Sequence, residues 1–221
     1  MKKTIIAILS SITIFTSAAV AEIGVNIGIS GSAGLFTATG QEVDTGPNLT
    51  ETTKDSEHGE AAWGSIFVEK TLGDRLAIGI DYVPASLETE TTESVRYDTD
   101  SGDTRTAKEN RIQVDFEDLT TVYLALNVTE NAYVKAGYVQ VDVITNESLT
   151  TGSTYGNTDM DGTVFAVGYN KSFDNTMFVR VEGSYMNFDG VSVTSSTNSD
   201  NKVTLNSLDG LSGKLSIGKS F

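Results

Sequence analysis

The final segment of the chain alternates apolar residues with small or polar ones, and it reads Leu211-Ser212-Gly213-Lys214-Leu215-Ser216-Ile217-Gly218-Lys219-Ser220-Phe221. A β-strand presents successive side chains to opposite faces. One face of this segment therefore requires an apolar neighbour, while the other accepts polar groups. The pattern predicts a strand that separates an apolar environment from a polar one.

The same alternation recurs in seven earlier segments, which span residues 23–37, 60–71, 75–84, 112–128, 132–145, 163–171 and 177–188. Glycine, serine and charged residues crowd one face of these segments. A soluble β-sandwich would need large apolar side chains on that face to fill its core. A transmembrane β-barrel instead requires an apolar outer surface and a polar lumen. The sequence therefore predicts an all-β fold with eight membrane-spanning strands.

The connections between these segments alternate regularly in length. Short turns are expected at residues 72–74, 129–131 and 173–176, and long polar loops at residues 38–58, 86–111, 146–160 and 189–206. Outer-membrane barrels have short periplasmic turns and longer extracellular loops. We therefore predict an antiparallel, up-and-down, eight-stranded barrel in the bacterial outer membrane, and a monomer.

The N-terminus has the layout of a secretion signal. Lys2 and Lys3 precede an apolar run too short to span a bilayer, and small residues lead up to Ala21. This arrangement predicts a signal peptide over residues 1–21, cleaved between Ala21 and Glu22. Residues 22–221 would then form the barrel domain.

The mature chain is strongly acidic. Without Lys2 and Lys3 it has 13 basic residues against 30 acidic ones, a net charge of −17, and it contains no cysteine. This charge argues against nucleic acid as a partner. The sequence also excludes disulfides and thiolate metal sites, and it predicts no cofactor. The expected partners are outer-membrane lipid, lipopolysaccharide and an extracellular ligand or a host or phage surface.

Strand alternation assigns a set of charged residues to the lumen: Glu69, Asp81, Lys135, Arg180, Glu182 and Lys214. Eight strands enclose a space that side chains can fill, so these charges must be paired or hydrated. Their heights above the periplasmic turns favour a Glu182–Lys214 pair. Arg180 is an alternative cation for Glu182, and Glu69 an alternative anion for Arg180.

Other inward positions follow from the same alternation. We expect Trp63 and Phe67 to point into the lumen. In the fourth segment we expect Phe116 to share a face with Val122 and Leu124, opposite Tyr123.

Several short features are similar to those of bacterial barrel proteins: Arg180-Val181-Glu182, the steps Gly137-Tyr138 and Gly168-Tyr169, and the terminal Phe221. On these features the mature chain resembles the eight-stranded group that includes the OmpA transmembrane domain, OmpX and OmpW. The resemblance implies that Phe221 is an assembly signal recognised by the barrel-assembly machinery. Members of the group serve as structural anchors, adhesins, invasion-related proteins or narrow channels.

Two local patterns contain residue types that catalysis or metal binding uses. His58, the sole histidine, lies in a polar tract beside Ser56, Glu57 and Glu60, where a catalytic triad would lack fixed geometry. The weak metal candidates are Asp98, Asp100 and Asp103, whose spacing does not match a calcium-binding loop. We therefore predict no catalytic residues and no metal site.

The expected function is a structural or surface-interaction role, adhesin-like, through acidic extracellular loops. The alternative is a narrow channel for small solutes or apolar compounds, as in the OmpW group. The lumen distinguishes the two, because paired charges across it imply a plug and a continuous apolar cavity implies passage.

Overall fold

A computed structural model describes residues 24–45, 50–99, 105–149, 154–197 and 201–221. No helix in this part of the chain is long and apolar enough to cross a membrane. The predicted signal peptide with its cleavage site at Ala21 and Glu22 lies outside the described residues, as do Asp100 and Asp103.

The described residues form eleven strands, which are β1 (Val25–Thr45), β2 (Thr50–Leu72), β3 (Leu76–Tyr82), β4 (Leu87–Glu88), β5 (Thr92–Thr99), β6 (Arg105–Asn127), β7 (Ala132–Leu149), β8 (Thr158–Ser172), β9 (Met177–Phe188), β10 (Val191–Thr194) and β11 (Asn201–Ser220). All strand pairings are antiparallel. Eight strands form the ring, in the order β1-β2-β3-β6-β7-β8-β9-β11, and β1 pairs with β11 to close it. The fold is thus the predicted eight-stranded up-and-down barrel.

Outward side chains form an apolar band around the ring. On β1 this band runs from Val25 to Leu35, and Ile29 is 59% exposed although it is apolar. Aromatic side chains border the band at both ends, with Tyr138, Phe165 and Tyr185 at one end and Tyr169, Phe173 and Phe221 at the other. An apolar belt with aromatic borders is the lipid-facing surface of a transmembrane barrel.

The predicted loops are shorter than expected, because the strands continue beyond the apolar band. Residues 38–58 were expected to form a loop, yet β1 and β2 remain paired as far as Thr45 and Thr50. Similar extensions carry β7 to Leu149 and start β11 at Asn201. Outside the membrane both faces of a strand contact water. Its sequence then loses the apolar alternation without losing its backbone pairing.

A bulge in β6 makes one face prediction wrong. The β6–β7 register shifts between Glu117 and Thr120, where Asp118 has a φ of 53°. The bulge adds one residue to β6 only, so inward and outward positions exchange across it. Val122 and Leu124 point outward as expected, but Phe116 packs against the inner core instead of sharing their face.

Candidate functional site

The periplasmic half of the lumen contains six charged side chains. Glu69 is on β2, Asp81 on β3, Lys135 on β7, Arg180 and Glu182 on β9, and Lys214 on β11. All six point inward, because their strand neighbours carry the lipid-facing apolar side chains. The structure joins them in three ion pairs across the lumen.

Arg180 and Glu69 form a bidentate pair. The Arg180 guanidinium donates to Glu69 Oε1 at 2.5 Å and Oε2 at 2.8 Å. Tyr123 Oη and Asn26 Nδ2 also donate to this carboxylate, at 2.9 and 3.1 Å. The Glu69 side chain is only 2% exposed, so every acceptor on it is used inside the protein.

Three aromatic rings surround the same guanidinium. The Arg180 Cζ lies 4.5 Å from the ring centroid of Phe178, 5.5 Å from Tyr133 and 5.7 Å from Phe67. Each ring face attracts the cation electrostatically. Arg180 therefore occupies the lumen as the centre of a packed cluster and not as a hydrated charge.

The other two pairs lie beside this cluster. Lys135 Nζ is 2.5 Å from Glu182 Oε1, and Tyr133 Oη donates to Glu182 Oε2 at 2.9 Å. Lys214 Nζ donates to Asp81 Oδ2 at 2.8 Å. The side chains of Lys135 and Glu182 are 7% and 5% exposed, so this pair is nearly dry.

The expected Glu182–Lys214 pair is wrong. The two residues are opposite each other in the β9–β11 register, as their predicted heights required. Their side chains nevertheless reach across the lumen to different partners, Lys135 on β7 and Asp81 on β3. The alternative Arg180–Glu69 pair is the one that forms.

Glycines allow the aromatic rings to lie flat against the barrel wall. In the periplasmic half, inward glycines stand opposite aromatic residues of the next strand, in the pairs Gly28 with Phe67, Gly79 with Tyr123, Gly168 with Tyr133 and Gly218 with Phe178. A Cβ at any of these glycines would overlap the ring of its partner. The rings therefore pack on the glycine backbone and fill the space beside the ion pairs.

The extracellular half of the lumen is apolar. Its buried side chains are Trp63, Val83, Val139, Val141, Val143, Met160, Val164, Met186, Phe188 and Leu208. Val139 has no exposed surface, and the Trp63 and Phe36 rings are 6.0 Å apart. Trp63 and Phe67 both point inward as predicted. Among the described residues, the lumen thus has a charged periplasmic half and an apolar extracellular half.

Serine side chains line the wall beside the charged cluster, where Ser216 is opposite Arg180 in the β9–β11 register. Ser216 donates to Ser30 at 3.0 Å, and the Ser184 and Ser212 hydroxyls are 2.6 Å apart. These pairs lie on the neighbouring strands β9, β11 and β1.

A lipid-facing apolar band with aromatic borders thus surrounds a lumen that contains paired charges. The protein is a transmembrane β-barrel of the outer-membrane type. No family model and no curated protein matches the sequence.

Solved barrel structures are similar to the chain. Ail of Yersinia pestis, in complex with the heparin analogue sucrose octasulfate, is 10% identical, with 86% of this chain and 99% of that chain covered and a TM-score of 0.38. OprG of Pseudomonas aeruginosa is 14% identical, with 88% and 96% covered and a TM-score of 0.42. The protease OmpT of Escherichia coli is 11% identical, with 94% and 99% covered and a TM-score of 0.44.

His58 and Asp98 lie on the extracellular extensions of the strands. His58 is exposed on β2, with Nδ1 3.0 Å from Thr37 Oγ1. Asp98 lies near the end of β5. No group of three or more metal-ligating side chains occurs among the residues that the structure describes. The absence of enzymatic activity stays a prediction.

Tyrosine and aspartate side chains pair at the extracellular border of the apolar band. Tyr82 Oη donates to Asp118 at 2.6 Å, and Tyr185 Oη donates to Asp209 at 2.5 Å. The Asp209 carboxyl lies beyond the apolar band. A hydrogen bond from the Tyr185 hydroxyl, and a weaker contribution from the Asn187 amide, hold the pKa of this carboxyl below its usual range. Carboxylates thus begin directly where the lipid-facing surface ends.

The hydrogen-bonded ladder between β2 and β3 is shorter than its neighbours. The β2–β3 ladder stops at the pair Ile66 and Tyr82, whereas β2 stays paired with β1 as far as Thr50. Continuing the register would place Gly64 opposite Pro84, which has no N–H to donate. The chain beyond Pro84 stays on β6 instead, since Thr89 N donates to Val114 O at 2.9 Å. The significance of Pro84 was missed in the sequence, although a proline directly after an alternating strand is its signal.

Proposed function

We propose that this barrel is a closed membrane anchor that presents an acidic β-sheet surface to the outside of the cell, where it binds a partner. The observation that carries the proposal is the set of three ion pairs across the periplasmic half of the lumen. Paired, aromatic-packed charges fill the space through which a solute would pass. A closed lumen leaves the extracellular strands as the part available for a function.

The extracellular surface supports the same role. β1, β2, β6 and β7 continue beyond the apolar band as regular strands. Glu60, Glu117, Asp159 and Asp189 are exposed on this part of the chain. With a mature net charge of −17, such a surface attracts basic partners and increases the rate of their association.

Conductance of the refolded full chain in a planar bilayer tests the closed lumen. We expect no stepwise conductance from the wild type. The variant Arg180→Ala combined with Trp63→Ala removes the centre of the charged cluster and a large side chain of the apolar half, and it should conduct because both halves fill the lumen. Stable conductance of the wild type would contradict the proposal.

Adhesion of cells that display the chain tests the surface role. We expect attachment to immobilised lysozyme, a basic protein, and none to immobilised ovalbumin, an acidic one. A variant with residues 38–58 replaced by a short turn keeps the barrel and should lose the attachment. Equal attachment by both chains would count against the acidic extension as the binding surface.

The apolar extracellular lumen favours a second candidate, a lateral route for small apolar compounds into the membrane. The wall beside Trp63 and Val83 has no β2–β3 ladder above Ile66, so the apolar interior adjoins lipid there. Trp63 is the only tryptophan, which makes its fluorescence a specific probe. Saturable quenching by a brominated benzene would support passage, and unchanged fluorescence would support the closed anchor.

A further inference from the structure

We infer that the free edge of β2, from Thr52 to Glu60, binds an extended basic segment of a partner protein as an added β-strand. This inference rests on the proposed surface role and names the class of partner.

The hydrogen-bonding direction of β2 alternates along the strand. Thr71 N donates to Gly24 O on the β1 side at 2.9 Å. The register with β1 is continuous from Lys70 to Thr50, so odd-numbered residues of β2 bond to β1 and even-numbered ones face away. From Ile66 to Leu72, the even-numbered residues of β2 pair with β3. Beyond the end of the β2–β3 ladder they meet no strand in the described part of the chain.

The unpaired edge is regular and accessible. Residues 52–60 are all exposed and lie beyond Ala62, where the apolar band of β2 ends. The edge is about 30 Å long at a strand rise of ~3.3 Å per residue. The Ser56 N–H donates to the side chain of the adjacent residue, Asp55 Oδ1, at 2.8 Å. A backbone N–H bonded only to an adjacent side chain is available to an incoming strand.

The opposite end of the same sheet is protected. There β10 pairs with β11 from Val191 to Thr194, and Ser196 N donates to Thr154 O at 2.8 Å. Native proteins protect exposed edges with short strands, prolines, bulges, covering segments or charged side chains, lysine above all. Between Thr52 and Glu60, β2 has one lysine, Lys54, no proline and no register shift. One edge is covered and the other is left open.

The acidic side chains at the open edge favour a basic partner. Asp55, Glu57 and Glu60 lie along β2, and Glu88 and Glu90 are exposed on the segment across the gap. Within residues 52–60 and 84–91, these five carboxylates stand against a single cation, Lys54. An incoming strand with alternating lysine or arginine residues would meet acidic groups on both sides, while its backbone completes the ladder.

The test uses the refolded full chain in phosphatidylcholine nanodiscs and a fluorescent peptide of about nine residues that alternates lysine with threonine, long enough to cover the edge. The matched probe is the same peptide with N-methyl groups along one edge, which keeps its charge and removes its donors. We expect the unmethylated peptide to bind at least about tenfold more tightly. We also expect isotope-edited infrared spectra to show the bound peptide in β-structure.

Protein variants locate the site. His58→Pro removes a free-edge N–H without removing a β1–β2 hydrogen bond, and it should lose binding, while His58→Ala should bind like the wild type. Heat-dependent gel mobility checks that both variants are folded. Equal binding of the two peptides, or full binding by His58→Pro, would overturn strand addition and leave an acidic surface that attracts cations by charge alone. Absence of binding by either peptide would also overturn it, whereas the closed lumen is judged separately by conductance.

Discussion

The two halves of the lumen solve the problem of filling a narrow barrel in different ways. The periplasmic half uses buried charges, each of which needs a named partner, as Arg180 has in Glu69. The extracellular half uses side chains such as Val139 and Phe188, which need only close packing. Ion pairs fix specific strands to one another across the lumen, while apolar packing tolerates repacking. Substitutions in the two halves should therefore destabilise the barrel for different reasons.

Glu69→Ala should give the largest effect. It leaves the guanidinium of Arg180 buried among three rings without its bidentate carboxylate, which typically costs ~3–5 kcal/mol. Urea titration of the refolded barrel in lipid vesicles measures the loss. The control is Glu69→Ala combined with Arg180→Met, which removes the unpaired charge and should recover part of the stability. A loss below that of a surface substitution would show that the pair is hydrated.

Val141→Thr tests the apolar half at nearly constant volume. Val141 is 2% exposed within the apolar cluster. A hydroxyl placed there without a partner should cost about 1–3 kcal/mol in the same titration. The matched change Val181→Thr makes the same substitution on the lipid-facing surface of β9, outside the lumen. If Val141→Thr were neutral, the extracellular half would contain water, and the contrast between the halves would fail.

A double-mutant cycle sharpens the assignment of partners in the charged half. Lys135→Ala and Glu182→Ala should show a coupling of about 0.5–3 kcal/mol, because these two side chains form one nearly dry pair. Lys214→Ala with Glu182→Ala should show a smaller coupling, since Lys214 bonds to Asp81. A larger coupling for Lys214 would restore the pairing expected from strand heights.

The smallest effect concerns the border above the apolar band. Tyr185→Phe removes the principal hydrogen bond that lowers the pKa of Asp209, so this pKa should rise toward its usual value in an NMR titration. A lowered carboxyl pKa stabilises the fold at pH values above the unfolded pKa, and that contribution is lost as the pH falls through the folded pKa. The stability change should be slight, because Asp209 is accessible to solvent. An unchanged pKa would mean that water replaces the hydroxyl.

Side-chain alternation was sufficient to predict the ring of strands, because lipid and lumen impose opposite demands on neighbouring residues. It also predicted correctly that Glu69 and Arg180 point inward. It failed at Phe116, since the bulge at Asp118 leaves no apolar or polar signature in the sequence. It failed again for Glu182, because a height along β9 gives no information on how far Lys135 reaches across the lumen.

The extracellular strands were missed for a related reason. Residues 38–58 are polar on both faces, so periodicity cannot separate a hydrated strand from a loop. Pro84 was the remaining clue, and its meaning depended on the register of β2 against β3. Register is a property of two strands, which a pattern within one strand does not contain.

The ladder between β1 and β11 has a consequence for how the molecule forms and lasts. It runs from Asn26 opposite Ser220 to Asp44 opposite Asn201 and joins the two strands that are farthest apart in sequence. Closing so long a chain segment has a high entropic cost, so this ladder is expected to form late in folding. Contacts that form after the transition state act mainly on the unfolding rate. The β1–β11 closure should therefore determine the lifetime of the inserted barrel more than the speed of its assembly.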